Sequence, residues 1–290
     1  MWNSVIIPSL NRSSALHETV LSLYRQSHRA DEILLSVVDP ERDVLSETLK
    51  LDGVRVVSGP KGLTCQRNTA LDCVHPDCDL VTFFDDDVEL HSNYLQNCGQ
   101  FMAQHPEVVG MSGGFLANGA STGEINRSEA VRMVQSCSEP GGDVRPLAYL
   151  PGCMTVRRKI AQDVRFDERL RLYGLYEDYD FSVRCAKFGQ LMNVPTCQMV
   201  HLATQTSRGS AKRLGYSCVM NGFYLCRKGS QTMWDFLRTT IKTIFANVLG
   251  IVVVRHGTSR TERCERLYGV ALGFRDVLLH GAEPELVECI

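Results

Sequence analysis

Several things are missing or scarce in this chain of 290 residues, and each absence narrows what it can be. No run approaches the ~20 apolar residues that a helix needs to cross a bilayer. The nearest, IFANVLGIVVV at 244–254, is short and carries Asn247 and Gly250. The first residues, MWNSVIIPSL, have no basic stretch followed by a long apolar core, so they do not read as a secretory signal. A basic excess is lacking too: the formal net charge is −2, which argues against nucleic acid as the main partner. The twelve cysteines include no CxxC pair. Cys73-Val-His75-Pro-Asp-Cys78 comes nearest to a zinc spacing but has no second pair to complete it. These thiols read as buried or surface cysteines of a protein in a reducing cytoplasm. No GxGxxG follows the first apolar run, which speaks against a dinucleotide oxidoreductase.

What is present is an alternation of strand and helix patterns. SVIIP (4–8) is an apolar run, as a strand buried on both faces should be. Ala15–Gln26 then carries Leu16, Val20 and Leu23 at helical spacing. ILLSVV (33–38), 54–57 and 80–84 read as further strands, with helices predicted up to Leu51, over 64–74 and over 91–105. This alternation predicts an α/β fold with a mainly parallel central sheet flanked by helices. Beyond residue 108 the pattern loosens: strands are expected over 108–115, 147–156 and 193–202, and a helix over 175–188. Three helices follow, at about 208–228, 232–254 and 260–280. The expected organisation is a catalytic domain over 1–205, with a nucleotide-binding half at 1–105 and an acceptor half at 106–205, and a helical extension over 206–290.

In mainly parallel sheets, ligands bind at the carboxyl ends of the strands. Asn11-Arg12, Asp39, the 61–68 loop and Asp85-Asp86-Asp87 all fall at such ends. The aspartate triplet needs a cause, because two carboxylates ~5 Å apart repel by roughly 3 kcal/mol at an effective dielectric of ~20. In extended backbone, Asp85 and Asp87 would share a side and suit Mg²⁺ or Mn²⁺. Alternatively the triplet caps the helix expected from His91. A second acidic stretch, Tyr176-Glu177-Asp178-Tyr179-Asp180, could supply a proton acceptor or simply fill a first helical turn. His201 could be a further metal ligand or a structural histidine.

Taken in order, VIIPSLNR (5–12), Asp39, GLTCQRNTAL (62–71), FFDDDVEL (83–90), LPGCMTVRRK (150–159), FDERL (166–170), YEDYDFSVR (176–184) and VHL (200–202) resemble the inverting glycosyltransferases of family 2, with the GT-A fold and its DxD motif. The resemblance covers about residues 3–205. It implies that Asp39 contacts a uracil or thymine base, that Pro8 and Asn11 line the nucleoside pocket, and that Arg67 approaches the nucleotide or diphosphate. It places Asp85 and Asp86 near ribose and diphosphate, Asp87 and His201 on Mn²⁺ or Mg²⁺, Gly152 facing the sugars, Asp178 as catalytic base, and Glu177 beside it near the acceptor. The implied partners are a nucleotide-sugar donor, UDP- or dTDP-linked, and a glycan or lipid-linked acceptor.

There are departures from the family pattern. Asp39 is followed by Pro40-Glu41 rather than by a second acidic and a small residue. The processive synthases carry QxxRW and membrane spans, whereas Gln205-Thr-Ser-Arg208 is followed by Gly209. Single sugar additions are therefore expected, with Arg208 near the diphosphate. A sugar-phosphate nucleotidyltransferase would place a basic Gly-rich loop after the first strand, where this chain has PSLNRSS. A non-catalytic nucleotide-sugar-binding protein is the other alternative. In the 232–254 helix, Met233, Leu237, Ile241, Ile244, Val248 and Val252 form one stripe. It reads as packing against the catalytic domain or a second subunit, or as a peripheral contact with the cytoplasmic membrane face.

Overall fold

A computed structural model describes residues 1–137, 141–204, 209–253 and 258–290. The expectations at Gln205 and Arg208 lie outside the described residues. The first part of the chain alternates β1 (Asn3–Pro8), α1 (Ser13–Tyr24), β2 (Glu32–Val37), α2 (Pro40–Asp43), β3 (Val54–Ser58), α3 (Leu63–Leu71) and β4 (Leu80–Phe83). Then come β5 (Val88–Leu90), α4 (Tyr94–Gln104), β6 (Val108–Asn118), α5 (Gly119–Thr122), α6 (Arg127–Ser136), β7 (Arg145–Pro146), β8 (Met154–Arg157) and α7 (Arg158–Val164). The chain continues through α8 (Glu177–Cys185), β9 (Gln190–His201), α9 (Ala211–Lys228), α10 (Met233–Val252) and α11 (Arg260–His280).

It divides into two compact units. One comprises Met1–Lys61, Cys65–Phe166 and Phe181–Ser207; the other comprises Gly62–Thr64, Asp167–Asp180 and Arg208–Ile290. This division differs from a single break after residue 205, because 167–180 groups with the C-terminal helices. The physical reason is a set of polar ties. Asn221 Nδ2 donates to the Leu175 carbonyl at 2.9 Å, and Tyr224 Oη donates to Asp167 Oδ2 at 2.8 Å. Lys228 Nζ lies 2.8 Å from Asp180 Oδ2, and Ser230 Oγ donates to Asp180 Oδ1.

The first unit holds the sheet, in the order β3-β2-β1-β4-β8-β6-β9-β5, with β7 paired to β9. β3, β2, β1 and β4 are parallel throughout. Alternate residues of one strand face opposite layers: Val5 and Ile7 join one apolar cluster with Leu16, Val20 and Leu35, while Ile6 joins another with Leu34, Phe83 and Phe166. Burial on both faces is why these strands are continuous apolar runs. β8 runs antiparallel to β4 and β6, and β9 lies parallel to β6.

Several expected elements change. The helix foreseen up to Leu51 is the short α2 plus a 3₁₀ turn at Thr48–Lys50. The strand foreseen over 147–156 is confined to Met154–Arg157, since Pro151-Gly152 interrupts it. α6 and α7 were not foreseen. Neither was β5, which pairs antiparallel with β9 in the register Val88↔His201.

In the second unit, α9 and α11 approach at backbone distance. A Cβ on Gly215 would lie 1.9 Å from the Arg266 carbonyl oxygen, and one on Gly269 would lie 2.0 Å from that of Lys212. Tyr216 and Met220 pack with Leu272, Val277 and Val287 beside this crossing.

Candidate active site

In the first unit, β4 ends at Phe83 and the chain turns at Asp86-Asp87 before entering β5. The backbone is therefore not extended through the triplet, and α4 begins only at Tyr94, with Asn93 as its N-cap. The aspartates do not cap a helix. The turn sends Asp85 and Asp87 one way and Asp86 another. The β5–β9 register brings His201 alongside, so that ligand atoms of Asp85, Asp87 and His201 all lie within 4.8 Å of one another. His201 Nε2 is 3.4 Å from Asp87 Oδ1 and 3.8 Å from Asp85 Oδ2. Among the described residues no other cluster of His, Cys, Asp or Glu has metal-ligand spacing. His75, from the Cys73–Cys78 stretch, instead stacks on Trp2.

Each ligand is oriented by a second contact. Asp87 Oδ2 accepts from Arg12 Nη2 and from the Thr204 backbone N–H and hydroxyl, each at 2.9 Å. Only Oδ1 is left facing His201. Asp85 Oδ1 lies 3.4 Å from Arg67 Nη2, leaving Oδ2 toward the imidazole. His201 Nδ1 contacts Asn118 Oδ1 at 3.0 Å. Because an amide oxygen only accepts, this bond places a proton on Nδ1, so Nε2 is the nitrogen that can serve a cation once it is unprotonated. Two carboxylate oxygens and one imidazole nitrogen make a donor set that fits a divalent cation.

The charges are unequal in consequence. Burial raises the Asp87 carboxyl, but His201, Arg12 and the Thr204 amide outweigh it and hold it well below the usual carboxylate range. Asp86 is buried against Ser9 Oγ at 2.6 Å and against Arg12 Nη1. Burial, only partly offset by Arg12 and reinforced by Asp87, pushes it up to about 7.

The other residues singled out in this unit lie as follows. Pro8 ends β1, fully within the buried run. Asn11 is an exposed residue with φ 57°, and its N–H donates to Asp43 Oδ1 at 2.9 Å. Asp39 caps α2 by accepting from the Glu41 N–H at 3.2 Å, and its side chain is half exposed. Arg67 is fully buried, lies 5.1 Å from the Phe166 ring centre, and donates to the Gly152 carbonyl at 3.2 Å. Gly152 leaves room there: a Cβ would sit 3.6 Å from Asp85 Oδ2.

In the second unit, Glu177 and Asp178 open α8 after a tight turn. Leu172, Gly174 and Tyr176 all have positive φ (57°, 66° and 73°). This conformation is uncommon for side-chain-bearing residues and is often retained at functional sites. At Gly174 a Cβ would also meet Glu177 Cγ at 3.2 Å. Glu177 is buried, and its N–H donates to the Gly174 carbonyl at 2.8 Å. Asp178 stays partly exposed, with Oδ1 accepting from the Tyr179 N–H. Asp180 is fully buried on Lys228 and Ser230, so its role is to hold α9. Tyr176 Oη meets Cys218 Sγ at 3.3 Å, and burial raises its hydroxyl well above the usual value.

Four contributors were not foreseen: Ser9, Asp43, Asn118 and Thr204. Ser9 and Asp43 flank the strand ends already singled out and could have been sought there. Asn118 and Thr204 carry no local signal, because their value depends on β6 and β9 lying side by side.

The profile of Glycosyl transferase family 2 matches residues 4–165. S. aureus TarS 1-349 has a similar structure at 17% identity, with a TM-score of 0.59, covering 100% of this chain and 83% of that one. The same protein in complex with UDP-GlcNAc gives 16% identity and a TM-score of 0.57, again covering 100% and 83%. A longer TarS structure gives 15% and 0.53, covering 98% of this chain and 55% of that one. No curated protein matches the chain. The structural likeness supports the GT-A fold, and the profile, spanning more than half the residues, shows that the chain belongs to glycosyl transferase family 2 and is a glycosyltransferase.

Proposed function

We propose that this glycosyltransferase moves a sugar from a nucleotide-sugar, UDP- or dTDP-linked, to a hydroxyl of a glycan or lipid-linked acceptor, one sugar at a time and with inversion. The observation that carries the reading is the convergence of Asp85 Oδ2, Asp87 Oδ1 and His201 Nε2 within 4.8 Å. This mixed oxygen and nitrogen set suits Mn²⁺, with Mg²⁺ as the harder alternative. Such an ion, when bound, supplies positive charge to the diphosphate leaving group. Asp39, Pro8 and Asn11 hold the base and nucleoside, while Arg67 and Asp85 orient the diphosphate and ribose, and Asp86 keeps Arg12 in place behind them. UDP-GlcNAc, present in the TarS complex, is the first donor to try.

Inversion requires the acceptor hydroxyl to attack the anomeric carbon from the face opposite the diphosphate. Asp178 accepts that hydroxyl's proton as the new C–O bond forms and the bond to the diphosphate breaks. Glu177 lines the acceptor side. Its neighbour Asp180 is consumed by Lys228 and Ser230, which favours Asp178 as the base.

A panel of nucleotide-sugars with Mn²⁺, read by thermal stabilisation and by diphosphate release, identifies the donor. Asp178→Asn is then expected to bind that donor normally while transfer falls about 10²- to 10⁴-fold. Near-normal turnover by this variant removes Asp178 from the role of base.

A further inference from the structure

Helix α10 has two faces of opposite character. Phe236, Thr240, Asn247 and Gly250 are buried within its unit. On the other side Trp234, Leu237, Ile241, Phe245, Val248 and Val252 follow one another at steps of three and four. Trp234, Ile241, Phe245 and Val252 are 73%, 63%, 67% and 74% exposed. Of the stripe expected from the sequence, Ile244 packs in this unit with Val219, Phe236 and Val270, while Leu237, Ile241, Val248 and Val252 share the exposed side with Trp234 and Phe245. Arg238 and Lys242 are exposed one turn apart along the edge of the same face. The remaining charge of the helix, Asp235, is engaged at the helix start by Thr232. The exposed face therefore presents two cations and no anion. No described helix is long and apolar enough to cross a membrane.

We propose that this face of α10 seats on an anionic lipid surface, lying in the plane of the interface. An amphipathic helix with an aromatic and aliphatic stripe, edged by Lys and Arg, binds through buried apolar area together with attraction to acidic headgroups. Trp234 is suited to the headgroup level, where an amphipathic ring is favoured. A second copy of the chain fits this face less well. Parallel, in-register pairing opposes Arg238 to Arg238 and Lys242 to Lys242. Antiparallel pairing through the helix centre brings the two Lys242 side chains together. Neither arrangement supplies a carboxylate from the face. The proposal rests on the second unit alone and holds whatever the acceptor of the glycosyltransferase is.

The test uses the full chain with vesicles of phosphatidylcholine alone or with about 30% phosphatidylglycerol, read by co-flotation. Partitioning is expected to be at least about tenfold stronger on the anionic vesicles and to weaken with salt. Ile241→Asp/Phe245→Asp and Arg238→Glu/Lys242→Glu are each expected to lose at least about tenfold at an unchanged unfolding temperature. If either variant misfolds, Trp2→Phe leaves Trp234 as the sole tryptophan, and brominated lipid should quench its fluorescence. Absence of vesicle binding, equal binding to neutral and anionic vesicles, or unquenched Trp234 overturns the proposal. So does sedimentation showing a dimer that Phe245→Asp dissociates while vesicles are ignored.

Discussion

His201 is useful to a cation only in one tautomer, and Asn118 selects it. The amide oxygen of Asn118 accepts from the imidazole and from the Ala120 N–H at the start of α5. Its position is thus fixed from both sides. Partners of this kind typically change metal affinity 10- to 100-fold. Asn118→Ala is expected to weaken Mn²⁺ binding by about that factor in a calorimetric titration, with donor-free protein so that catalysis does not enter. Unchanged affinity would mean the ring is oriented by its other neighbours. At this scale the sequence revealed residue types but not their partners. Strand alternation pairs Asp85 with Asp87, but it is a turn at 86–87 that groups them. The opposite destination of Asp86, against Ser9 and Arg12, needed the side-by-side placement of β1 and β4.

Among the elements, the parallel strands were legible because burial on both faces writes an unbroken apolar run. β5 was not, since three residues with Glu89 in the middle resemble a loop, and only pairing with β9 makes them a strand. α6 was hidden by a polar composition: only Ala130 and Val134 of its residues are buried. The α9–α11 crossing was equally silent, because glycine in a helix reads locally as a weakness. Helix propensity alone says that Gly→Ala stabilises by about 1 kcal/mol. Gly99 in α4 has nothing within 4 Å of an added Cβ, so Gly99→Ala is expected to gain about that much. At Gly269 the obstacle is the Lys212 carbonyl at 2.0 Å, a backbone atom that cannot step aside. There the clash wins, and Gly269→Ala is expected to lose about 1–3 kcal/mol. Urea unfolding of the two variants checks both signs; a gain at Gly269 would refute the close crossing.

Across the whole molecule, acid acts on both units. Asp43 is raised by burial but lowered more by Arg42 and the N–H groups of Asp39 and Asn11; Asp167 is likewise raised by burial and lowered more by Lys228 and Tyr224. A carboxyl depressed in the fold contributes stability that is present above its unfolded value, near 4, and is lost as pH falls through the folded value. Asp86 has the opposite sign. Raised by burial to about 7, it keeps its proton in the fold while the unfolded chain has released it. Its contribution therefore declines as pH rises from about 4 to about 7. The unfolding temperature measured from pH 3 to 8 in chelator is expected to fall steeply below pH 4. Over pH 4.5–7.5, Asp86→Asn should improve relative to the parent chain as pH rises. A constant difference between the two curves would show that Asp86 is already ionised at pH 4.5.

The three-residue pairing of β5 with β9 has a consequence for how this chain tolerates changes of length. Side chains along a strand alternate, so inserting or deleting one residue between 190 and 200 without a compensating bulge turns His201 to the far side of the sheet. The pairing of β6 with β9 already shifts register three times, and at one of these shifts, where Gly113↔Val194 is followed by Gly114↔Gln198, the extra residues lie in β9. Spelling within β9 is therefore freer than counting: substitutions can be absorbed by neighbours, but the number of residues separating that shift from His201 sets which way the imidazole points.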